Sequence, residues 1–242
     1  MYGIDYLETY SPVAKLTSIR ILFAIATVKD LEIHQMDAVT GFLAEHIDEE
    51  IYMDQPEGFI IVKNGKRLVC RIRKGLYGLK QSARLWNQKI RRILESHGFV
   101  STHADHCIYI NKEMGVIIAI WVDDLIIFGK GMDGIEKIKT QLNGELEMKD
   151  LGEMHFFLGI QVHRDRQNRQ LSINQTSYIN SILGRFEMAN CKSASTPMAV
   201  GTKLKKATTD DILVDQRHYQ SIVGSVMYPI LCTRPDVAFA IS

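Results

Sequence analysis

Trp121-Val122-Asp123-Asp124 sets two adjacent carboxylates between two short apolar runs, Val116-Ile117-Ile118-Ala119-Ile120 and Leu125-Ile126-Ile127-Phe128-Gly129. Runs of this length, β-branched and bounded by Gly115 and Gly129, predict two core strands of a hairpin with the acids at its tip. Asp is depleted in strands, and two like charges beside a core repel one another. A divalent cation commonly offsets such a pair. The same four residues also read as a polar hairpin turn, because Asp is an ordinary turn residue.

A third acid changes that balance. Asp37 ends the strand-like run Leu31-Glu32-Ile33-His34-Gln35-Met36 and enters the turn Ala38-Val39-Thr40-Gly41-Phe42. Alone it reads as a strand-end turn residue. If its strand lies beside the hairpin, three carboxylates converge on one edge of a sheet. Such a cluster can hold two magnesium ions about 3.5–4 Å apart, the arrangement that polymerases and nucleases use for phosphoryl transfer. One ion lowers the pKa of an attacking hydroxyl; the other steadies the leaving pyrophosphate.

Several elements must position these acids. Thr17 or Ser18 can cap a helix whose apolar stripe includes Ile19, Leu22, Phe23 and Ala26. A strand beginning at Ile51-Tyr52-Met53 is expected after an acidic turn, Asp48-Glu49-Glu50. Asn64-Gly65 between 59–62 and 67–72 is a strong hairpin signal. A helix is predicted over 82–97, closed by Gly98, with Leu85 or Trp86, then Ile90, Ile93 and Leu94, facing inward. A helix over 132–142 follows the acid hairpin, and then a hairpin of 156–162 with 171–174. The stretch 189–211, rich in Ser, Thr, Lys and Ala and containing Pro197, reads as an exposed linker. Residues 219–231 read as helix until Arg234-Pro235.

Composition bounds the class. The chain has 242 residues, is 46% hydrophobic and 24% charged, and has a net charge of +1. These values describe an ordinary globular protein, and any basic surface must be local. Its four cysteines, Cys70, Cys107, Cys191 and Cys232, form no C-x-x-C pair, which argues against a disulfide framework or zinc ribbon. They read as buried thiols of a reducing compartment. No apolar run reaches membrane-spanning length and no secretory signal is evident, so a soluble intracellular protein is expected.

Ordered blocks then give a resemblance. Gly3-Ile4-Asp5-Tyr6-Leu7-Glu8-Thr9-Tyr10-Ser11-Pro12-Val13-Ala14-Lys15-Leu16-Thr17-Ser18-Ile19-Arg20 leads into His34-Gln35-Met36-Asp37-Ala38-Val39-Thr40-Gly41-Phe42-Leu43. Glu50-Ile51-Tyr52-Met53-Asp54-Gln55-Pro56-Glu57-Gly58-Phe59, Leu76-Tyr77-Gly78-Leu79-Lys80-Gln81 and the Trp-Val-Asp-Asp motif follow. Met148-Lys149-Asp150-Leu151-Gly152 and Phe157-Leu158-Gly159-Ile160 complete the series. In this order and spacing the chain resembles the reverse transcriptase of copia-type long-terminal-repeat retrotransposons.

That resemblance implies an α+β fold, a reverse-transcriptase-like palm with an antiparallel sheet, partial fingers and a partial thumb. Residues 1–188 would hold fingers and palm with a primer-grip-like hairpin, and 189–242 the linker and partial thumb or connection. The implied activity is RNA-directed DNA polymerisation by two-metal nucleotidyl transfer to a primer 3′-hydroxyl. Asp37, Asp123 and Asp124 match the catalytic metal ligands, for two Mg2+ or Mn2+ ions. Phe42 matches the ring that packs under the sugar and excludes a 2′-hydroxyl; it also reads as a core aromatic. Lys15, Arg20, Tyr77, Gly78 and Lys80 are carried over as nucleotide-binding, and Trp121, Leu158 and Gly159 as primer–template contacts. Arg20 and Lys80 equally read as solvated side chains, and Gly78 as a turn glycine.

Implied partners are a primed RNA or DNA template, deoxynucleoside triphosphates, and the integrase and ribonuclease H domains of a parent polyprotein, with no membrane. The implied setting is a cytoplasmic virus-like particle, with the nucleus as the alternative. Trp121 replaces the usual Tyr of the Asp-Asp motif, Gln81-Ser82-Ala83-Arg84 lacks the usual proline, and Gly41 stands where Ala is common. Met1 falls just before the first block and Ser242 within the thumb-like part, so the expectation is a chain truncated at both ends. An inactive remnant that at most binds nucleic acid, and a stand-alone two-metal nuclease, are the alternatives. Lys66, Arg67, Arg71, Arg73 and Lys74, continued by Lys80 and Arg84, suggest a template-facing stripe or a solvated hairpin face. Arg164, Arg166 and Arg169 read as solvated. His103, His106 and Cys107 read as strand-edge packing rather than zinc ligands.

Overall fold

The computed structural model describes residues 8–194, 196, 198, 201–203, 205–208 and 213–241. Residues 3–7 of the first block, Pro197 and Ser242 lie outside the described residues. The chain divides into two compact units between Met154 and His155. Mixed helices and antiparallel strands fit a reverse-transcriptase-like domain.

The first unit begins with helix α1 (Leu16–Lys29), which buries Ile19, Leu22, Phe23 and Ala26. Neither Thr17 nor Ser18 caps it; the cap is Lys15, whose side chain makes no capping bond. Instead the Lys15 backbone N–H donates to Asp105 Oδ2 at 2.8 Å, so a distant loop fixes the helix start. Strand β1 (Glu32–Ala38) follows, then a 3-10 turn, Gly41–Ala44, and β2 (His46–Asp54). The acidic residues 48–50 therefore lie within β2 and not in a turn, with a register irregularity between His46 and Ile51.

β3 (Val62–Lys63) and β4 (Lys66–Arg67) flank the Asn64-Gly65 turn as expected, but each is only two residues long. Asn64 and Gly65 take φ of 53° and 71°, the double positive φ of a tight hairpin turn. β5 (Val69–Lys74) leaves that hairpin to pair with β2. Helix α2 (Ser82–Ser96) buries Trp86, Ile90, Ile93 and Leu94, and Gly98 beyond it takes φ 79°.

The remaining strands are β6 (Val100–Ser101), β7 (Ile108–Asn111), β8 (Val116–Trp121) and β9 (Asp124–Gly129). Helix α3 (Met132–Glu145) and β10 (Met148–Glu153) close the unit. Six strands form one antiparallel sheet in the order β10-β1-β9-β8-β7-β6. β1 thus sits between β9 and β10 and continues through Asp37 to Ala38, so Asp37 lies inside its strand and not at the end. Side chains alternate across the sheet. Asp37 and Gln35 share a face with Asp124, while His34 and Met36 face the other side, where α3 lies. There the buried Lys139 donates to His34 Nδ1 and to Asp150 Oδ2, both at 2.9 Å. Leu125, Ile126, Ile127 and Phe128 are completely buried, so β9 is the centre of the core.

The second unit has β11 (Phe156–Phe157), β12 (Ile160–Asp165) and β13 (Gln170–Asn174) as a three-stranded antiparallel sheet. Helices α4 (Thr176–Arg185), α5 (Gln216–Cys232) and the short α6 (Ala238–Ile241) follow. The described part of 189–211 carries neither helix nor strand. Tyr178 and Tyr228 meet edge to face at 5.2 Å, and the Tyr228 hydroxyl donates to the Leu158 carbonyl. No helix among the described residues is long and apolar enough to cross a membrane.

Candidate active site

Strand pairing brings the three acids together. Asp37 of β1 lies directly opposite Asp124 of β9, and Trp121 opposite Asp124 across the hairpin, which leaves Val122 and Asp123 as a two-residue turn. Favoured two-residue turns need positive φ, usually supplied by Gly or Asn. Here Val122 supplies it, with φ 55°, an uncommon state for a β-branched residue. Neighbours hold it there. The Trp86 indole N–H donates to the Val122 carbonyl at 2.6 Å, and the Ala38 N–H to the Asp123 carbonyl at 2.9 Å. The second bond ties the end of β1 to the hairpin tip.

Each tip acid has one hydrogen-bond donor. Gln35 Nε2 donates to Asp124 Oδ1 at 2.9 Å, and the Tyr77 hydroxyl donates to Asp123 Oδ2 at 3.0 Å. Asp123 Oδ1 is buried and has no hydrogen-bond partner among the described residues. Burial, then the nearby negative charges of Asp37 and Asp124, raise the Asp123 pKa against the lowering effect of the Tyr77 bond. Burial and then Asp37 raise that of Asp124, opposed by the Gln35 bond. The Tyr77 phenol is raised by burial and by its bond to Asp123. Among the described residues no Lys or Arg forms an ion pair with Asp123 or Asp124. The cluster holds negative charge that its own surroundings do not neutralise.

Phe42 stands in the 3-10 turn after β1, and its ring meets that of Tyr77 at 4.7 Å. Gly75 packs closely on the Phe42 backbone: a Cβ there would fall 2.1 Å from the Phe42 carbonyl oxygen. Phe42, Tyr77 and the three acids therefore form one continuous group. Gly78 adjoins it with φ 97°, open on the side where a Cβ would project. Trp121 is half-buried at the end of β8.

Other candidates are placed differently. Lys15 Nζ donates to the Ala104 carbonyl at 3.1 Å, and Arg20 is exposed on α1. Lys80 follows Gly78 in the turn before α2. Leu158 and Gly159 belong to the second unit and make the turn between β11 and β12, with φ of 49° and 74°. Arg71 lies 3.9 Å from Glu50, and Arg84 donates to the Tyr10 carbonyl at 3.3 Å.

Two residues at the site carry no functional expectation from sequence. Gln35 was legible only as a polar residue two before Asp37, and so on its face. Trp86 read as plain core, although a buried indole N–H normally finds a partner. Asp123 and Asp124 offer hard oxygen donors, one of them buried and unpartnered, and this donor set fits a divalent cation. In the arrangement here, no three acidic, His or Cys side chains among the described residues are gathered closely enough to hold an ion.

Comparison with known proteins gives one family. The family described as Reverse transcriptase (RNA-dependent DNA polymerase) matches residues 1–200. The chain is 41% identical over 247 residues to the retrovirus-related Pol polyprotein from transposon TNT 1-94 of Nicotiana tabacum, covering 99% of this chain. It is 37% identical over 242 residues to the Pol polyprotein from transposon RE1 of Arabidopsis thaliana, again over 99% of this chain. It spans 18% and 16% of the length of these two relatives. A putative transposon Ty5-1 protein of Saccharomyces cerevisiae is 33% identical over 209 residues, which is 86% of this chain and 67% of that protein.

Proposed function

This chain belongs to the reverse transcriptase family, in the form carried by retrotransposon Pol polyproteins, and from that premise we propose that it is an RNA-directed DNA polymerase core of the copia type. The observation that carries the proposal is the pairing of Asp37 with Asp124 beside the buried, partnerless oxygen of Asp123. In this reading the primer 3′-oxygen forms a bond to the α-phosphorus of a deoxynucleoside triphosphate. The bond from that phosphorus to the bridging oxygen breaks, pyrophosphate leaves, and the hydroxyl proton is lost.

Asp37, Asp123 and Asp124 are the residues that would hold the divalent cations that reverse transcriptases generally use. Bound there, such cations acidify the hydroxyl and neutralise charge on the leaving pyrophosphate. The Phe42–Tyr77 ring pair is assigned as the wall against the sugar, and a ring in that place collides with a 2′-hydroxyl. Gly78 lets backbone approach the nucleotide, and Lys15, Arg20 and Lys80 are assigned to phosphates. Trp121, Leu158 and Gly159 are assigned to primer and template. Integrase and ribonuclease H domains of a parent polyprotein complete the proposed partners, in a cytoplasmic virus-like particle.

A second reading, a non-catalytic remnant that binds nucleic acid, is favoured by the Asp123 carboxylate being tied to Tyr77. Primer extension on an RNA template with magnesium decides between them. Extension by the chain, and at least about 10³-fold less by Asp123→Asn, is the expected result. Primer–template binding without extension would establish the second reading.

A further inference from the structure

We propose that Gly41 and Tyr77 hold Asp123 in a withdrawn resting position, and that the missing Cβ at residue 41 controls how readily this carboxylate joins Asp37 and Asp124. The inference rests on the reading of these acids as cation ligands. A Cβ built on Gly41 would lie 2.3 Å from Asp123 Oδ1 and 3.2 Å from Cδ2 and Cε2 of Trp86. The carboxylate oxygen thus occupies the volume that an alanine methyl would fill. It gains no hydrogen bond there from the described residues, since Oδ1 is buried without a partner among them. The other oxygen accepts from the Tyr77 hydroxyl, and the Tyr77 ring is braced by Phe42.

A buried polar atom left unpaired is costly, so this resting place persists only because shape and one hydrogen bond favour it. Shape is the part a single methyl removes. Gly41 is not among the positive-φ glycines, so alanine brings no backbone strain. The clashing atom is the far end of the Asp123 side chain, which can rotate away. The Trp86 ring must yield slightly, and a cavity of about 240 Å³ bordered by Gly41, Trp86, Thr40 and Leu43 gives it room. With the niche filled, Asp123 spends more of its time outside it. Apparent affinity for a ligand scales with the fraction of protein in the competent arrangement.

The test is binding of Mn2+ to the full 242-residue chain without nucleic acid, read from the free-ion electron paramagnetic resonance signal. Gly41→Ala should bind about 3- to 10-fold tighter than the parent chain, and Tyr77→Phe should shift in the same direction. The double variant should gain less than the product of the two, because both release the same state. Adding Asp123→Asn should abolish the gain. Binding in Gly41→Ala and Tyr77→Phe no tighter than in the parent, with Asp123→Asn still weaker, overturns the withdrawn position and leaves the ligand reading intact. Equal binding by the parent and Asp123→Asn overturns the ligand reading, and this inference with it. Circular dichroism melts check that each variant folds, and Tyr77→Phe carries the test if Gly41→Ala does not.

Discussion

Phe42 acquires its meaning at the site from what braces it. A lone ring in a 3-10 turn could swing aside, but this one meets Tyr77 at 4.7 Å, and Gly75 closes against its carbonyl. Truncating it should open the wall and, through Tyr77, loosen one hold on Asp123 while leaving the three acids in place. In primer-extension competition, Phe42→Ala is expected to reduce the preference for deoxy- over ribonucleoside triphosphates by at least about tenfold, with deoxynucleotide extension retained. An unchanged preference would return Phe42 to the core aromatics. The adjacent acids were legible in sequence because a hairpin is local: two apolar runs and a two-residue tip predict their own pairing. Gln35 and Trp86 were not, because each reaches its partner across a long stretch of chain, Gln35 to Asp124 and Trp86 to Val122.

Among the elements, α3 shows how the sheet is stiffened behind the acids. Lys139 is 4% exposed, with its ammonium shared among His34, Asp150 and Glu136. Burial works against the Asp150 carboxylate, but the bond from Lys139, the Gly152 N–H and the Lys139 charge together hold its pKa below the ordinary value. Burial and then Lys139 hold His34 low, in keeping with a bare Nδ1 that accepts. Lys139→Ala removes both this junction and a buried stem, and should cost about 2 kcal/mol in urea unfolding. Lys139→Met, which keeps the stem, should cost about half as much.

The elements that sequence missed depend on such distant partners. Apolar alternation in β1 stops at Met36, and only pairing with β9 and β10 carries the strand through Asp37 to Ala38. Residues 48–50 looked like a turn because three acids in a row disfavour a strand, yet they lie within β2, in the irregular stretch between its His46–Lys74 and Ile51–Ile72 pairs with β5. Helix α4 buries only Ile182, too little for its period to stand out. The hairpin of β8 and β9, with both strands in the core, needed no such help.

Over the whole molecule, buried thiol and phenol groups contribute to alkaline stability, among them the neighbouring Cys107 and Tyr109. Burial and then Asp105 push the Cys107 thiol from 9.0 up to about 12. Burial and then Cys107 push Tyr109 from 10.0 up to about 12. Both raised values mean that the folded chain holds protons which the unfolded chain releases first. Their contribution is complete below pH 9 and is lost as pH rises from 9 through about 12. Thermal melts across that range should fall steadily, and Cys107→Ala should flatten the first part of the fall. An undiminished fall in that variant would place the alkaline sensitivity elsewhere.

The Asn64-Gly65 ribbon carries a consequence for the chain in company. Phe59, Ile60, Ile61 and Val62 are exposed along the open edge of a two-stranded ribbon, and an exposed apolar edge is a template for pairing with another chain, which the shortness of β3 and β4 only blunts. Lys63 and Lys66 face each other across the turn and would meet the same charges on an incoming copy. That repulsion reaches about 10 Å at 0.1 M salt and only about 3 Å at 1 M. Salt is therefore the solvent condition in which these ribbons stick, and a clear dilute solution should cloud when brine is added.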